Sequence, residues 1–199
     1  MKEKILFIGA NDMREINRYQ DKYKEGLFIE PIPEVFKRLQ KNLNAVNESN
    51  GNNFQGLQAL VTNKDLETYD FHLYKTKNNL YGSSSIFKMH EVWQDKLGYK
   101  ETMKLPSKRM SSIISSFDLN IEEYDVFIDV QGAELEVLKS FDDHINKIDW
   151  LQTEISTTDI YYEGGVLLNE LNSFLNKHGL FTESIPKGSI HTDLVYKRS

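Results

Sequence analysis

The chain has 199 residues, 39% of them hydrophobic and 27% charged, a net charge of -6 and no cysteine. That length suits one α/β domain with a full core, the acidic balance offers no basic footprint for DNA or RNA, and the lack of cysteine excludes disulfides, thiolate metal sites and a cysteine nucleophile. No apolar run approaches the roughly 20 residues that span a bilayer, the opening segment lacks the shape of a signal peptide, and a cytoplasmic protein is expected.

Residues 4–8 (KILFI) read as a buried central strand that closes at Gly9. Gly9, Ala10 and Asn11 then make a turn, and Asp12 with Glu15 three residues on suggests a helix start with a capping box. Residues 26–30 (GLFIE) predict a second buried strand, closed by Pro31 and Pro33. Pro33 suits the first turn of a helix, and Val35, Phe36, Leu39 and Leu43 recur at helical spacing. Residues 47–53 (NESNGNN) read as a loop and 57–62 as a third strand. This alternation predicts a parallel sheet with helices on its faces.

The middle is less regular. Residues 69–74 (YDFHLY) alternate like a strand, 78–85 (NNLYGSSS) read as loop, 102–105 as a short strand and 100–109 as a solvated basic face. Order resumes with a strand at 125–130 (DVFIDV), then Gly132 and a helix carrying Leu135, Leu138 and Phe141. A strand at 148–155 follows, then an amphipathic helix over 166–175. Two closing strands are expected at 181–185 and 194–196, joined by a hairpin across Pro186, Lys187 and Gly188.

In a doubly wound sheet, ligands sit beyond the carboxyl ends of the strands. Three such ends carry informative residues. Gly9, Ala10 and Asn11 allow close backbone approach to a ligand, or form an ordinary turn; neither the dinucleotide GxGxxG nor the P-loop pattern is present. Glu30 lies about 20 residues past that turn, where an acid can accept both ribose hydroxyls of a nucleoside cofactor or simply stand solvated. Asp129, Gln131 and Glu134 flank the third turn; one carboxylate could act as a general base, or both could serve as turn and helix-start groups. The five histidines lack metal-ligand spacing, so no metal is expected. His191 could reach the edge of the site, and the 161–165 loop (YYEGG) could stack on a sugar face or simply pack.

The segments FIGAN, FIEPIPEVFKRLQKNL, LVTN, GSSSI, FIDVQGAELEVLKS and LQTEI occur in this order over 5–196. In this the chain resembles the FkbM family of methyltransferases. The resemblance implies a class I, Rossmann-like methyltransferase fold: a three-layer α/β sandwich whose seven-stranded sheet is mostly parallel, with one antiparallel strand. It implies one domain over 1–199, with 64–109 shaping the acceptor side. It also implies S-adenosylmethionine (SAM) as cofactor and O-methylation of a small-molecule or glycan acceptor, a sugar hydroxyl most often. By position, Gly9, Ala10 and Asn11 look like the loop at the methionine end of SAM, and Glu30 like the ribose ligand with Pro31 and Ile32 beside the adenine. Leu60 and Val61 resemble the adenine edge, and Ser84 and Ser85 a serine-rich stretch near the site. Asp129, Gln131 and Glu134 look like the polar groups near the transferring methyl, with Asp129 and then Glu134 as candidate bases. Two positions depart from the pattern: Phe7 stands where an acid is common, and Met13 where another glycine is usual. They leave open a non-catalytic member acting as a binding or scaffold subunit.

Overall fold

The computed structural model describes residues 2–75, 81–158, 161–183 and 191–199. Seven strands form the main sheet: β1 (Lys4–Ile8), β2 (Glu25–Glu30), β3 (Asn53–Gln58), β7 (Tyr124–Ile128), β8 (Trp150–Ser156), β9 (Leu180–Phe181) and β10 (His191–Arg198). Their spatial order is β3-β2-β1-β7-β8-β10-β9. The pairings from β3 across to β8 are parallel, and β10 runs antiparallel to both neighbours. The expected mostly parallel sheet with one antiparallel strand is therefore present. Strand order reverses between β1 and β7, which places the ligand crevice at their carboxyl ends.

Alternation along the central strands assigns the two faces. Leu6, Ile8, Leu27, Ile29, Val126 and Ile128 point into a core shared with α3 (Met110–Phe117), α4 (Glu134–Lys139) and α5 (Leu168–Lys177). Ile5, Phe28 and Phe127 point the other way, against Leu39, Leu43 and Val46 of α1 (Pro33–Asn50) and against Ile16 and Tyr23. Phe7 packs on this second face. Its ring stacks on Phe127 at 5.3 Å, 4° from parallel, and meets Tyr19 edge-on at 5.9 Å. An acid at position 7 would therefore place a charge in an aromatic stack.

A second, three-stranded sheet has the order β4-β6-β5, with β4 (Leu60–Val61), β5 (Thr68–Tyr74) and β6 (Tyr99–Lys108); α2 (Glu91–Leu97) precedes β6. Ile32, Val35, Leu60, Phe71, Leu73, Tyr81 and Leu105 form the core beneath it. The small sheet thus stands over the carboxyl end of β2.

Several expectations need correction. No α-helix starts at Asp12. Asn11 and Met13 adopt left-handed φ values of 50° and 48°, which interrupts any helix there, and a short 3-10 turn (Ile16–Arg18) follows. The expected loop at 47–53 is largely helix, because α1 continues to Asn50 and is capped by Gly51 at φ 71°. Asn47 supports that extension by bonding both the N–H and the carbonyl of Phe54 at 2.9 Å. The expected strand at 57–62 is two pieces, β3 and β4, which belong to different sheets. The short strand expected at 102–105 is longer, Tyr99–Lys108, and Lys104 and Lys108 on it are exposed, as a solvated basic face requires. The hairpin expected across 186–188 lies outside the described residues.

Candidate functional site

Two cavities meet over the carboxyl ends of β1 and β7. The first, about 730 Å³, is lined by Glu30, Pro31, Ile32, Leu60, Val61, Phe71, Tyr81 and Ile86 on one side and by Gly9, Asn11, Ser84, Asp129 and Gln131 on the other. The second is a wider cleft of about 1070 Å³, lined by Ala10, Asp12, Met13, Arg14, Arg18, Tyr19, Gln152, Glu154 and Asp193 among others. Gly9, Asn11, Gly82 and Asp129 line both, so one ligand can pass from the first cavity into the second across the glycine turn.

The turn at Gly9 is set by crowding. Its φ is +82°, and an added Cβ would lie 1.8 Å from the Asp129 carbonyl oxygen, so only glycine lets the ends of β1 and β7 approach this closely. Met13 also stands at a left-handed φ of 48°, a conformation that glycine adopts more readily than methionine. The turn's amides are all committed within the protein. The N–H groups of Gly9 and Ala10 donate to the Ile29 carbonyl at 2.9 Å, and that of Met13 to the Ala10 carbonyl at 3.3 Å. The N–H of Asn11 donates to Glu30 Oε2 at 3.0 Å, and that of Asp12 to Asn11 Oδ1 at 2.7 Å.

Glu30 is 5% exposed, and its other oxygen accepts from the Ile32 N–H at 2.9 Å. Burial pushes its pKa from the ordinary 4.5 to about 7, against the pull of those two N–H donors. Its carboxylate thus ties the β1 and β2 turns together at the wall of an apolar slot.

The polar centre is a chain of side chains across the ends of β7, β8 and β10. Gln131, at φ 55°, donates from Nε2 to Asp129 Oδ1 at 2.7 Å and also to Glu154 Oε2. Glu154 Oε1 pairs with His191 Nε2 at 2.7 Å, and His191 Nδ1 lies 3.0 Å from Ser156 Oγ. The Tyr162 hydroxyl lies 2.9 Å from Gln131 Oε1 and 2.8 Å from the Ser83 carbonyl. Burial, then the facing Glu154 charge, holds the Asp129 carboxyl well above the usual range. Burial also acts to raise Glu154, but the His191 hydrogen bond and charge outweigh it and keep Glu154 low. The same bond raises His191. Within the pair, Glu154 is therefore the more readily ionised carboxyl and Asp129 the less.

Of the residues expected at the site, Gly9, Asn11, Glu30, Pro31, Ile32, Leu60, Val61, Ser84, Asp129 and Gln131 line the first cavity, and Ala10 lines the second. Ser85 and Glu134 line neither. Ser85 is fully buried, accepts the Phe87 N–H on Oγ at 3.1 Å and pairs through its backbone with His72. Glu134 is 2% exposed, and its Oε1 turns back onto the N–H groups of Val130 and Gly132 at 3.2 and 3.1 Å. Phe71 reaches the first cavity from β5, Tyr81 and Ile86 reach it from the segment between β5 and α2, and Gln152, Glu154 and Asp193 reach the second from β8 and β10. Ile86, Gln152 and Glu154 fall within the GSSSI and LQTEI segments but are not singled out there, and Phe71, Tyr81 and Asp193 fall in none of the segments that carry the family resemblance. His191 opens β10, where the Glu154 bond holds it at the edge of the site. Among the described residues, no group of three or more His, Cys, Asp or Glu side chains could hold a metal ion, and no helix is long and apolar enough to cross a membrane.

Burial also raises the Glu134 pKa from 4.5 to about 7, which is on the order of 3 kcal/mol for each group so displaced. Glu30 and Glu134 then hold protons more tightly folded than unfolded, so their contribution favours folding below about pH 4.5 and is lost as pH rises to about 7. His191, raised by Glu154, acts in the same direction. The melting temperature should accordingly fall between pH 5.5 and 8. In Glu134→Gln, whose Oε1 still accepts both N–H groups, the fall should shrink by about 5 °C. An equal fall in the variant, measured by calorimetry, would contradict this account of Glu134.

The first cavity, with apolar side chains and a buried acid in its wall, could hold a nucleoside. The Methyltransferase FkbM domain matches residues 8–180. No curated protein matches the chain significantly. Among solved structures, the fold is similar to a methyltransferase FkbM from Methylobacillus flagellatus KT, with a TM-score of 0.55, 14% identity, and coverage of 98% of this chain and 43% of that one. It is also similar to magnesium protoporphyrin IX methyltransferase from Synechocystis PCC 6803, solved with bound SAM, at TM-score 0.52 and 8% identity over 98% of this chain and 69% of that one. A precorrin-6y C5,15-methyltransferase from Geobacter metallireducens GS-15 has a TM-score of 0.50 and 12% identity over 100% of this chain and 81% of that one. At these identities the likenesses establish the fold, that of class I SAM methyltransferases, and the chain spans less than half of the FkbM structure. The domain match covers most of the chain and agrees with the sheet order and the strand-end cavities: this protein belongs to the FkbM family of methyltransferases.

Proposed function

We propose that the protein transfers a methyl group from SAM to a hydroxyl of a sugar or glycosylated metabolite, with 1–199 acting as one methyltransferase domain. The observation that carries this reading is the meeting of two cavities at Asp129, one with the buried Glu30 carboxyl in its wall and the other wider and lined by charged side chains such as Arg14, Glu154 and Asp193. SAM supplies an electrophilic methyl on a sulfonium. The chain's own residues supply placement and a proton acceptor. Glu30 accepts from the ribose hydroxyls, while Ile32, Leu60 and Val61 enclose the adenine. Asn11 and Gly9 form the floor between the cavities.

Asp129 takes the proton of the attacking hydroxyl. Its raised pKa brings the carboxyl closer to the working pH, where a general base is most effective. Gln131 holds that carboxyl from one side, and Glu154 faces it with a charge that His191 stabilises. Glu134 fixes the turn that presents Asp129 and Gln131, and does not reach the reacting atoms.

Calorimetric titration with SAM and with its demethylated product S-adenosylhomocysteine (SAH) tests the cofactor. Binding should appear at micromolar ligand, and a folded protein giving no heat at high micromolar ligand would overturn the reading. Labelled SAM offered with a panel of free and O-blocked sugars then tests the acceptor. Labelling should occur only where a hydroxyl is free. SAH binding with no labelling of any hydroxyl would favour the binding-subunit alternative.

A further inference from the structure

A turn whose amides point outward would ordinarily receive the amino-acid carboxylate of SAM, because unsatisfied N–H groups attract anions. Here that route is closed. The N–H groups from Gly9 to Met13 donate to the Ile29 carbonyl, the Glu30 carboxylate, the Asn11 side chain and the Ala10 carbonyl. No α-helix follows the turn directly either; a short 3-10 turn over Ile16–Arg18 does.

Arg14 and Arg18 are the lysine or arginine side chains lining the two cavities, and both lie in the second. Their settings differ. Arg18 is 68% exposed and is paired with Glu15 at 2.5 Å. Arg14 donates from Nε to Asp12 Oδ2 at 2.8 Å. Asp12 is itself 6% exposed and is anchored: its carbonyl accepts from Asn42 Nδ2 at 2.6 Å, and its carboxylate also receives Arg38 Nε at 3.3 Å. A buried carboxylate thus holds the Nε edge of Arg14, a side chain that is 54% exposed and lines the second cavity, and its terminal guanidinium nitrogens take no part in that bond. Such a held guanidinium presents paired donors that match a carboxylate.

We propose that Arg14 binds the amino-acid carboxylate of SAM, with Asp12 as the residue that positions it. The nucleoside occupies the first cavity, and the methionine chain crosses Gly9 and Asn11 into the second, where Arg14 closes the contact. The cofactor's anionic end is then held by a side chain on the segment after the turn, which replaces the usual amides. The proposal rests on the methyl-transfer reading above, and its test separates the two.

The test is calorimetry with two ligands: SAH, which carries the carboxylate, and 5′-methylthioadenosine, which has the nucleoside and sulfur but no amino-acid end. Arg14→Ala should weaken SAH by about tenfold or more and leave methylthioadenosine affinity within about twofold, while Arg18→Ala leaves both nearly unchanged. Unchanged methylthioadenosine binding also shows that the variant is folded. If Arg14→Ala lowers both affinities alike or neither, or if Arg18→Ala produces the selective loss, the assignment to Arg14 is overturned. If the wild-type protein binds neither ligand, the cofactor reading itself falls, and the role of Arg14 with it.

Discussion

Asp129→Asn is expected to lower kcat for methyl transfer by about 10²- to 10⁴-fold, the usual worth of a positioned general base, and to leave SAH affinity within about threefold of wild type. The variant is close to isosteric, and its Oδ1 still accepts the Gln131 Nε2 donor that holds Asp129 at 2.7 Å. Glu154 keeps its 2.7 Å bond to His191, so the polar chain stays assembled. What disappears is a carboxylate able to take a proton. The pH profile supplies the second readout. Burial and then the Glu154 charge hold the Asp129 pKa up, so the wild-type rate should climb with pH as that proton is lost. The Asn variant should lack that climb. Equal losses in kcat and in SAH affinity, with an unchanged pH profile, would assign Asp129 to binding.

Much of this arrangement was legible in the sequence, and the parts that were not share a cause. Strands such as KILFI and DVFIDV are largely buried on both faces, so they read as continuous apolar runs and were placed within two residues at either end. The turn residues Gly9, Asn11 and Glu30 were legible because backbone crowding and a strand-end acid leave fixed spacings. Non-local contacts left no such mark. Nothing in NESNGNN announces that Asn47 bonds the backbone of Phe54 and so prolongs a helix. Likewise LQTEI reads as a strand, and only pairing with β10 sets Glu154 opposite Asp193 and near His191. Glu134 erred in the opposite direction. Its position beside Asp129 in sequence suggested chemistry, but the left-handed turn at Gln131 and Gly132 directs it onto backbone N–H groups. Phe7 read as a missing acid, yet it is a member of an aromatic stack that covers the face on which no α-helix follows β1.

Glu30→Gln should weaken SAH by about 10- to 100-fold, since a hydrogen bond to a charged group contributes about 1.5–3 kcal/mol. Both oxygens of Glu30 already accept an N–H, from Asn11 and from Ile32. Glutamine offers one acceptor and an NH₂, so one of those N–H groups would face a donor. The ribose hydroxyls would also lose an anionic acceptor. The loss should fall on methylthioadenosine as fully as on SAH, because both carry the ribose; that pattern separates Glu30 from Arg14. The pH dependence is the sharper criterion. With a pKa of about 7, Glu30 is largely protonated at pH 6 and ionised at pH 8, and the ionised form is the better acceptor for hydroxyl donors. Wild-type affinity should therefore tighten as pH rises through 7 and level off above it, while Glu30→Gln binds with little pH dependence. Glu134 titrates in the same range but lines neither cavity, so Glu134→Gln should keep the wild-type binding profile. A profile that follows Glu134 would move the ribose contact away from Glu30 and undo the placement of the nucleoside in the first cavity.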